Sequence, residues 1–96
     1  MKTVIWGPVT LEHLVDADLM AGITPTKFLS NGEFPSPNVG IPTEVDPPCP
    51  KLPGELGEHQ RDYTLCLAAE AVICVGDNDH LLKVANTYEL PIYHVD

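Results

Sequence analysis

The chain reads as a single α/β domain: a mostly parallel, four-stranded sheet, about three helices and one long proline-rich loop. Three observations predict this class. Short strand-like runs alternate with amphipathic helical patterns, which implies parallel strands joined by crossover helices. The run Ala71 to Val75 is apolar throughout, as a strand covered on both faces requires. The length, 96 residues, suffices for one small core and not for two lobes.

Lys2 to Trp6 is β-branched and aromatic and reads as the first strand, closed by Gly7-Pro8. Thr10 has N-cap chemistry for a helix over about Leu11 to Met20, with Leu11, Leu14, Val15 and Leu19 on one stripe. Gly22 fits its C-terminal stop, and Pro25 lies shortly beyond. Thr26 to Ser30 is a second strand, ended by Asn31-Gly32. The character then changes, because seven of the ten prolines fall between Glu33 and Gly57. Proline lacks the backbone donor that helix interiors and central strands need, so residues 33–57 are expected as an extended loop or arm. So long a loop in so small a domain is expected to cover a site or to wrap a neighbouring subunit. Glu58 to about Ala69 is the second helix, and Ala71 to Val75 the third strand. Asn78 or Asp79 caps a third helix, His80 to Tyr88, with Leu81, Val84, Ala85 and Tyr88 as its stripe. Pro91 to Val95 is the fourth strand.

Composition excludes several functions. Fourteen acidic residues stand against five basic ones, for a net charge of −9. A nucleic-acid binder needs a basic face, which five scattered cations do not make. Mimicry of DNA by acidic charge would call for long acidic runs, and the acids here form none. No apolar run approaches the roughly 20 residues of a membrane span. The T-V-I-W run, broken by Gly7-Pro8, lacks the apolar core of a secretory leader, so the expected compartment is the cytoplasm. Cys66 and Cys74 fall in apolar patterns and read as buried reduced thiols, and Cys49 lies between prolines with no adjacent base.

The turns that follow the strands carry the candidate chemistry, because open α/β sheets bind ligands outside the carboxyl ends of their strands. Gly7-Pro8-Val9-Thr10 either lets backbone approach an anion at a helix N-terminus or is a plain turn and cap. Asn31, Gly32 and Glu33 end the second strand. Arg61, the single arginine, offers a fork for a phosphate or carboxylate, with His59 and Gln60 in support; the alternative is a surface pair with Glu58 or Asp62. In Gly76-Asp77-Asn78-Asp79 the carboxylates suit ribose hydroxyls and would repel phosphate, while Asn78 or Asp79 also serves as helix cap. No metal site is expected. Asp77, Asp79 and His80 are too close in sequence to converge on one ion without a third element, and His94 with Asp96 share only a terminal strand face. His13 reads as solvent-exposed. Neither Ser30 nor Ser36 sits in a nucleophile elbow, so no catalytic triad is expected.

The opening K-T-V-I-W-G-P-V-T, a helix, and T-K-F-L-S-N-G resemble the start of small Rossmann-like proteins of the SLOG superfamily. The later Arg61-Asp62, Ala69-Glu70-Ala71-Val72-Ile73, Gly76-Asp77-Asn78-Asp79 and Leu90-Pro91-Ile92-Tyr93 resemble that group's second half, and also nucleoside 2-deoxyribosyltransferases. The resemblance implies a minimal Rossmann-like fold with a nucleotide site at these turns. Catalytic members place a glutamate after a glycine-rich turn, and here Lys83 stands at that position. The expected function is therefore binding of a nucleotide or nucleotide-derived signal, for sensing or sequestration (for instance by a phage against bacterial defence), without cofactor or turnover. One alternative is a reduced deoxyribosyltransferase or N-glycosidase with Glu33, Asp77 or Asp79 as the acid. Another is an acidic protein-interaction module. A small sheet with uncovered edges is expected to form a homodimer or higher oligomer.

Overall fold

The computed structural model describes residues 1–45 and 54–96, without the side chains of residues 54–58. Pro47, Pro48, Cys49, Pro50 and Pro53 lie outside the described residues, as does the Glu58 side chain. In chain order the elements are β1 (Lys2–Trp6), α1 (Leu11–Ala21), β2 (Lys27–Ser30), β3 (Thr43–Val45), α2 (Gly54–Ala68), β4 (Ala71–Val75), α3 (Asp79–Thr87) and β5 (Ile92–Val95). The strands form one sheet in the order β3-β2-β1-β4-β5, with every neighbouring pair parallel.

The sheet grows from β1 through β2 to β3, then reverses to β4 and β5 on the other side of β1. Right-handed crossovers running in opposite directions must lie on opposite faces. The two cores follow this rule. Leu14 and Ala17 of α1 pack with Ile5, Phe28 and Ile73 on one face. Leu65 and Cys66 of α2 and Leu81 and Val84 of α3 pack with Val4, Leu29 and Val72 on the other. Val4 and Ile5, adjacent in β1, therefore serve opposite cores, as strand alternation dictates. All five residues of β4 are buried, as its unbroken apolar run requires.

Local chemistry sets the helix ends. Thr10 caps α1: its side-chain oxygen accepts from His13 N, and His13 Nδ1 accepts from Thr10 N at 3.0 Å. His13 thus fills the glutamate position of a capping box and is not merely a solvent-facing residue. Gly22 closes α1 in the left-handed conformation, φ 67°. Asn78 caps α3 by accepting from Leu81 N at 3.2 Å. Cys66 and Cys74 are buried free thiols. Among the described residues, no helix is long and apolar enough to cross a membrane.

Three expectations change. The sheet has five strands, not four, because Thr43–Val45 pairs with β2 inside the proline-rich segment. An edge strand is paired on one side only, so prolines around it are tolerated, and Pro42 serves as an acceptor, its carbonyl taking Phe28 N at 2.9 Å. The second helix begins at Gly54, a turn before Glu58, and carries Gly57 in its interior at a cost of about 1 kcal/mol. Of the expected α1 stripe only Leu14 is buried; Leu11, Val15 and Leu19 are exposed. Ile23, together with Val39 and Ile41 from the proline-rich segment, fills the space beside α1 instead. Of that segment's described part, residues 33–45, Val39 and Ile41 pack on this core and Thr43–Val45 joins the sheet.

Candidate functional site

The carboxyl ends of β1, β2 and β4 open onto a hollow of about 220 Å³ on the α2/α3 side of the sheet. It lies where the strand order reverses around β1 and β4, the place where open α/β sheets take ligands. Trp6 ends β1, Asn31 and Glu33 follow β2, and Asp77 and Asn78 follow β4. The helices supply the remaining lining, His59, Arg61 and Asp62 from α2 and His80 from α3.

Arg61 is the unusual member. It shares the sheet-facing side of α2 with Asp62, Leu65 and Cys66 and is only 5% exposed. Its Nε has no hydrogen-bond partner among the described residues. Its Nη2 stands 3.8 Å from Glu33 Oε1, too far for a hydrogen bond. The other Glu33 oxygen accepts from Trp6 Nε1 at 3.2 Å. Glu33 is 45% exposed, and its one carboxylate faces both the indole and the guanidinium at the mouth of the hollow. The turn that presents it is local: Asn31 Oδ1 accepts from Glu33 N at 2.9 Å, and Ser30 Oγ from Gly32 N at 3.0 Å. Trp6 is braced by Phe34, edge to face, with ring centroids 5.2 Å apart.

A second cluster lies beside the arginine. His80 Nδ1 is 2.8 Å from Asp62 Oδ2. A carboxylate only accepts, so Nδ1 carries the proton in this contact. His59 stacks on His80 with centroids 3.8 Å apart and planes 12° from parallel. Tyr63 meets the same ring edge-on at 5.7 Å. Below them, burial pushes the Cys66 thiol up to about 12, with the Asp62 charge adding to the effect. Burial likewise raises Cys74 to about 11, opposed in part by the Asn78 backbone and reinforced by Asp77 and Asp96. Both thiols stay protonated and unreactive at neutral pH.

Of the residues singled out from sequence, Asn31, Glu33, Arg61, Asp77 and Asn78 line this hollow. Gly7, Pro8, Val9, Thr10, Gly32, Gly76 and Asp79 are not among its lining residues. Gly7 is needed for packing: at φ 89° a Cβ there would stand 1.8 Å from the Val75 carbonyl oxygen. Val9 is buried in the α1-side core, and Thr10 is spent on its cap. Gly76 donates its N–H to Val95 O at 2.6 Å, and its own carbonyl lies 2.9 Å from His94 Nε2. Asp79 opens α3, where a carboxylate favours the helix dipole.

From sequence, Trp6 is missed, Asp62 is considered only as a surface partner of Arg61, His80 only in a metal grouping, and His59 only as support for Arg61. One signal for Trp6 was available: it is the single tryptophan and the last residue of a parallel strand. The Asp62–His80 pair spans 18 residues and has no local signature. Separately, donor atoms of Asp77, His94 and Asp96 lie within 4.8 Å of one another on the exposed rim. This joins the acidic turn to the terminal strand face, in place of the Asp77, Asp79, His80 grouping weighed from sequence. Compared with family models, curated proteins and solved structures, the chain finds no match.

Proposed function

We propose that the protein binds a small nucleotide-derived molecule carrying a single anionic group, and senses or sequesters it without turning it over. The observation that carries this reading is Arg61, a cation buried at the rim of a hollow with one N–H left unmatched. A buried donor without a partner costs about 1–3 kcal/mol, and an anion delivered to the hollow would supply that partner. An arginine fork suits a phosphate or carboxylate.

The rest of the lining narrows the class. Glu33, Asp62 and Asp77 place three carboxylates beside one guanidinium. A polyphosphate would meet repulsion there. A single phosphate or carboxylate head on Arg61, with hydroxyl or amino groups turned to Asp77 and Asn78, would meet less of it. About 220 Å³ is less than the roughly 300–1,000 Å³ that encloses a drug-sized ligand. Phosphate and sugar fit within, and the base stays at the mouth beside Trp6. The resemblance of the strand-end turns to SLOG proteins supports the same ligand class.

Trp6 makes the test direct, because its emission is the protein's only indole signal. Titration with nucleosides, nucleoside monophosphates, cyclic nucleotides and nucleoside triphosphates is expected to quench or shift it for a monophosphate-type ligand only. No change across that panel, with no thermal shift, rejects the proposal.

One observation favours a second, catalytic reading. The Asp62–His80 contact turns His80 Nδ1 to a carboxylate at the hollow, an orientation in which Nε2 could serve as the base that a hydrolase acting on nucleosides would need. Of the acids considered for the missing glutamate, Glu33 and Asp77 line the hollow and Asp79 does not. Free base released from labelled nucleosides, and lost in His80→Gln, would select this reading over binding alone.

A further inference from the structure

The face opposite the hollow carries an independent feature. On α1, Leu11, Val15 and Leu19 are 61%, 51% and 78% exposed. They recur every fourth residue, so they form one ridge along the helix, successive members about 40° apart around its axis. A groove runs on each side of the ridge. One, about 310 Å³, is floored by Leu14 and Ile23 and walled by Val39 and Ile41, with Asp18 at its border. The other, about 300 Å³, is bordered by Glu12 and Asp16. A ridge between two grooves is the shape that a second helix packs against.

Charge decides what kind of helix. Acids line both borders, Asp18 on one side and Glu12 with Asp16 on the other, and α1 contains no lysine or arginine. A second copy of this chain docking by the same face would set two such acidic borders against each other, on molecules each carrying a net charge of −9. A partner with apolar residues at helical spacing and basic residues on both flanks would meet the ridge with its apolar stripe and both borders with opposite charge.

We propose that α1, with Ile23, Pro25, Val39 and Ile41 beside it, forms a docking surface for a basic amphipathic helix of a partner protein. The docking surface is separate from the hollow and does not depend on what the hollow binds.

The test uses the full chain and a fluorescein-labelled synthetic helix with leucines at three- and four-residue spacing and lysines and arginines on both flanks. An isosteric peptide with glutamate flanks is the control. The basic peptide is expected to bind in fluorescence anisotropy, to weaken with added salt, and to shift the backbone amide resonances of α1 and residues 37–41. The acidic peptide is expected to bind at least about tenfold more weakly. Leu19→Asp, a change at an exposed position, is expected to abolish binding while leaving the circular dichroism and any ligand response of Trp6 unchanged. Four outcomes overturn the proposal: no binding of the basic peptide at millimolar concentration, equal binding of the two peptides, resonance shifts away from α1, or a dimeric mass in size-exclusion light scattering that Leu19→Asp reduces to a monomer.

Discussion

Replacing Arg61 by methionine is expected to make the protein more stable and to remove its ligand response, and both effects follow from the same geometry. Arg61 is 5% exposed, its Nε has no partner among the described residues, and the Glu33 carboxylate is 3.8 Å away and 45% exposed. The unmatched donor costs about 1–3 kcal/mol. The long, half-solvated contact with Glu33 returns at most about 1 kcal/mol. Methionine has a similar length and no donor, and it would extend the apolar side of α2 formed by Leu65 and Cys66. The balance is a gain of about 1–2 kcal/mol, which for a 96-residue chain raises the melting temperature by about 5–10 °C. Urea unfolding followed by circular dichroism measures the first number, and Trp6 emission with the nucleotide panel reads the second effect. Arg61→Lys separates charge from shape: it keeps the cation and loses the fork, so it is expected to bind weakly without the methionine variant's gain in stability. If Arg61→Met unfolds at lower urea than the parent, Arg61 holds the fold together, and the argument that its burial is maintained for a ligand fails.

Three further outcomes follow from the structure. Glu33→Gln removes the carboxylate that faces Arg61, so an anionic ligand is expected to bind about three- to tenfold more tightly in the Trp6 titration; weaker binding would show that Glu33 contacts the ligand itself. Gly7→Ala places a Cβ 1.8 Å from the Val75 carbonyl oxygen at a backbone φ of 89°, so β1 and β4 must separate beneath Trp6. A loss of about 3–5 kcal/mol in urea unfolding is expected, and a loss under 1 kcal/mol would contradict the packing described. Above pH 9 the unfolded chain gives up thiol protons while Cys66 and Cys74, raised to about 12 and about 11, keep theirs. The folded state then holds more protons, so stability falls as pH rises, by up to about 1.4 kcal/mol per pH unit for each thiol. Urea midpoints measured from pH 8 to 10.5 should decline less steeply in Cys66→Ala than in the parent, and parallel curves would refute the assignment.

The elements legible in the sequence are those whose stabilisation is local. Thr10, Gly22 and Asn78 mark helix ends by bonds made within a few residues, and β4 announces its burial by being apolar throughout. β3 has no such mark. Three residues between prolines become a strand only because β2 offers a free edge, a fact about the sheet and not about Thr43, Glu44 or Val45. The α1 stripe misleads for the opposite reason: its spacing is that of a buried face, but Val39 and Ile41 arrive from a distant segment and three of its four residues stay open.

The candidate site divides along the same line, and the division bears on what the hollow is for. Glycine at a strand end, threonine before a helix and asparagine after a strand are the residues of ligand loops, and they are equally the residues of turns and caps. Gly7 and Thr10 are committed to packing or capping bonds, and Asn78 both caps α3 and lines the hollow, so residue type alone could not tell the two uses apart. What tells them apart is an unsatisfied group, and that is visible only in three dimensions. The Trp6–Glu33 bond spans 27 residues and the His80–Asp62 bond spans 18; both close around Arg61 without giving its Nε a partner. A carboxylate at bonding distance would satisfy the guanidinium within the fold. Glu33 stands 3.8 Å away, near enough to screen the charge and too far for a hydrogen bond, which is the arrangement on which the proposed exchange of an anion rests.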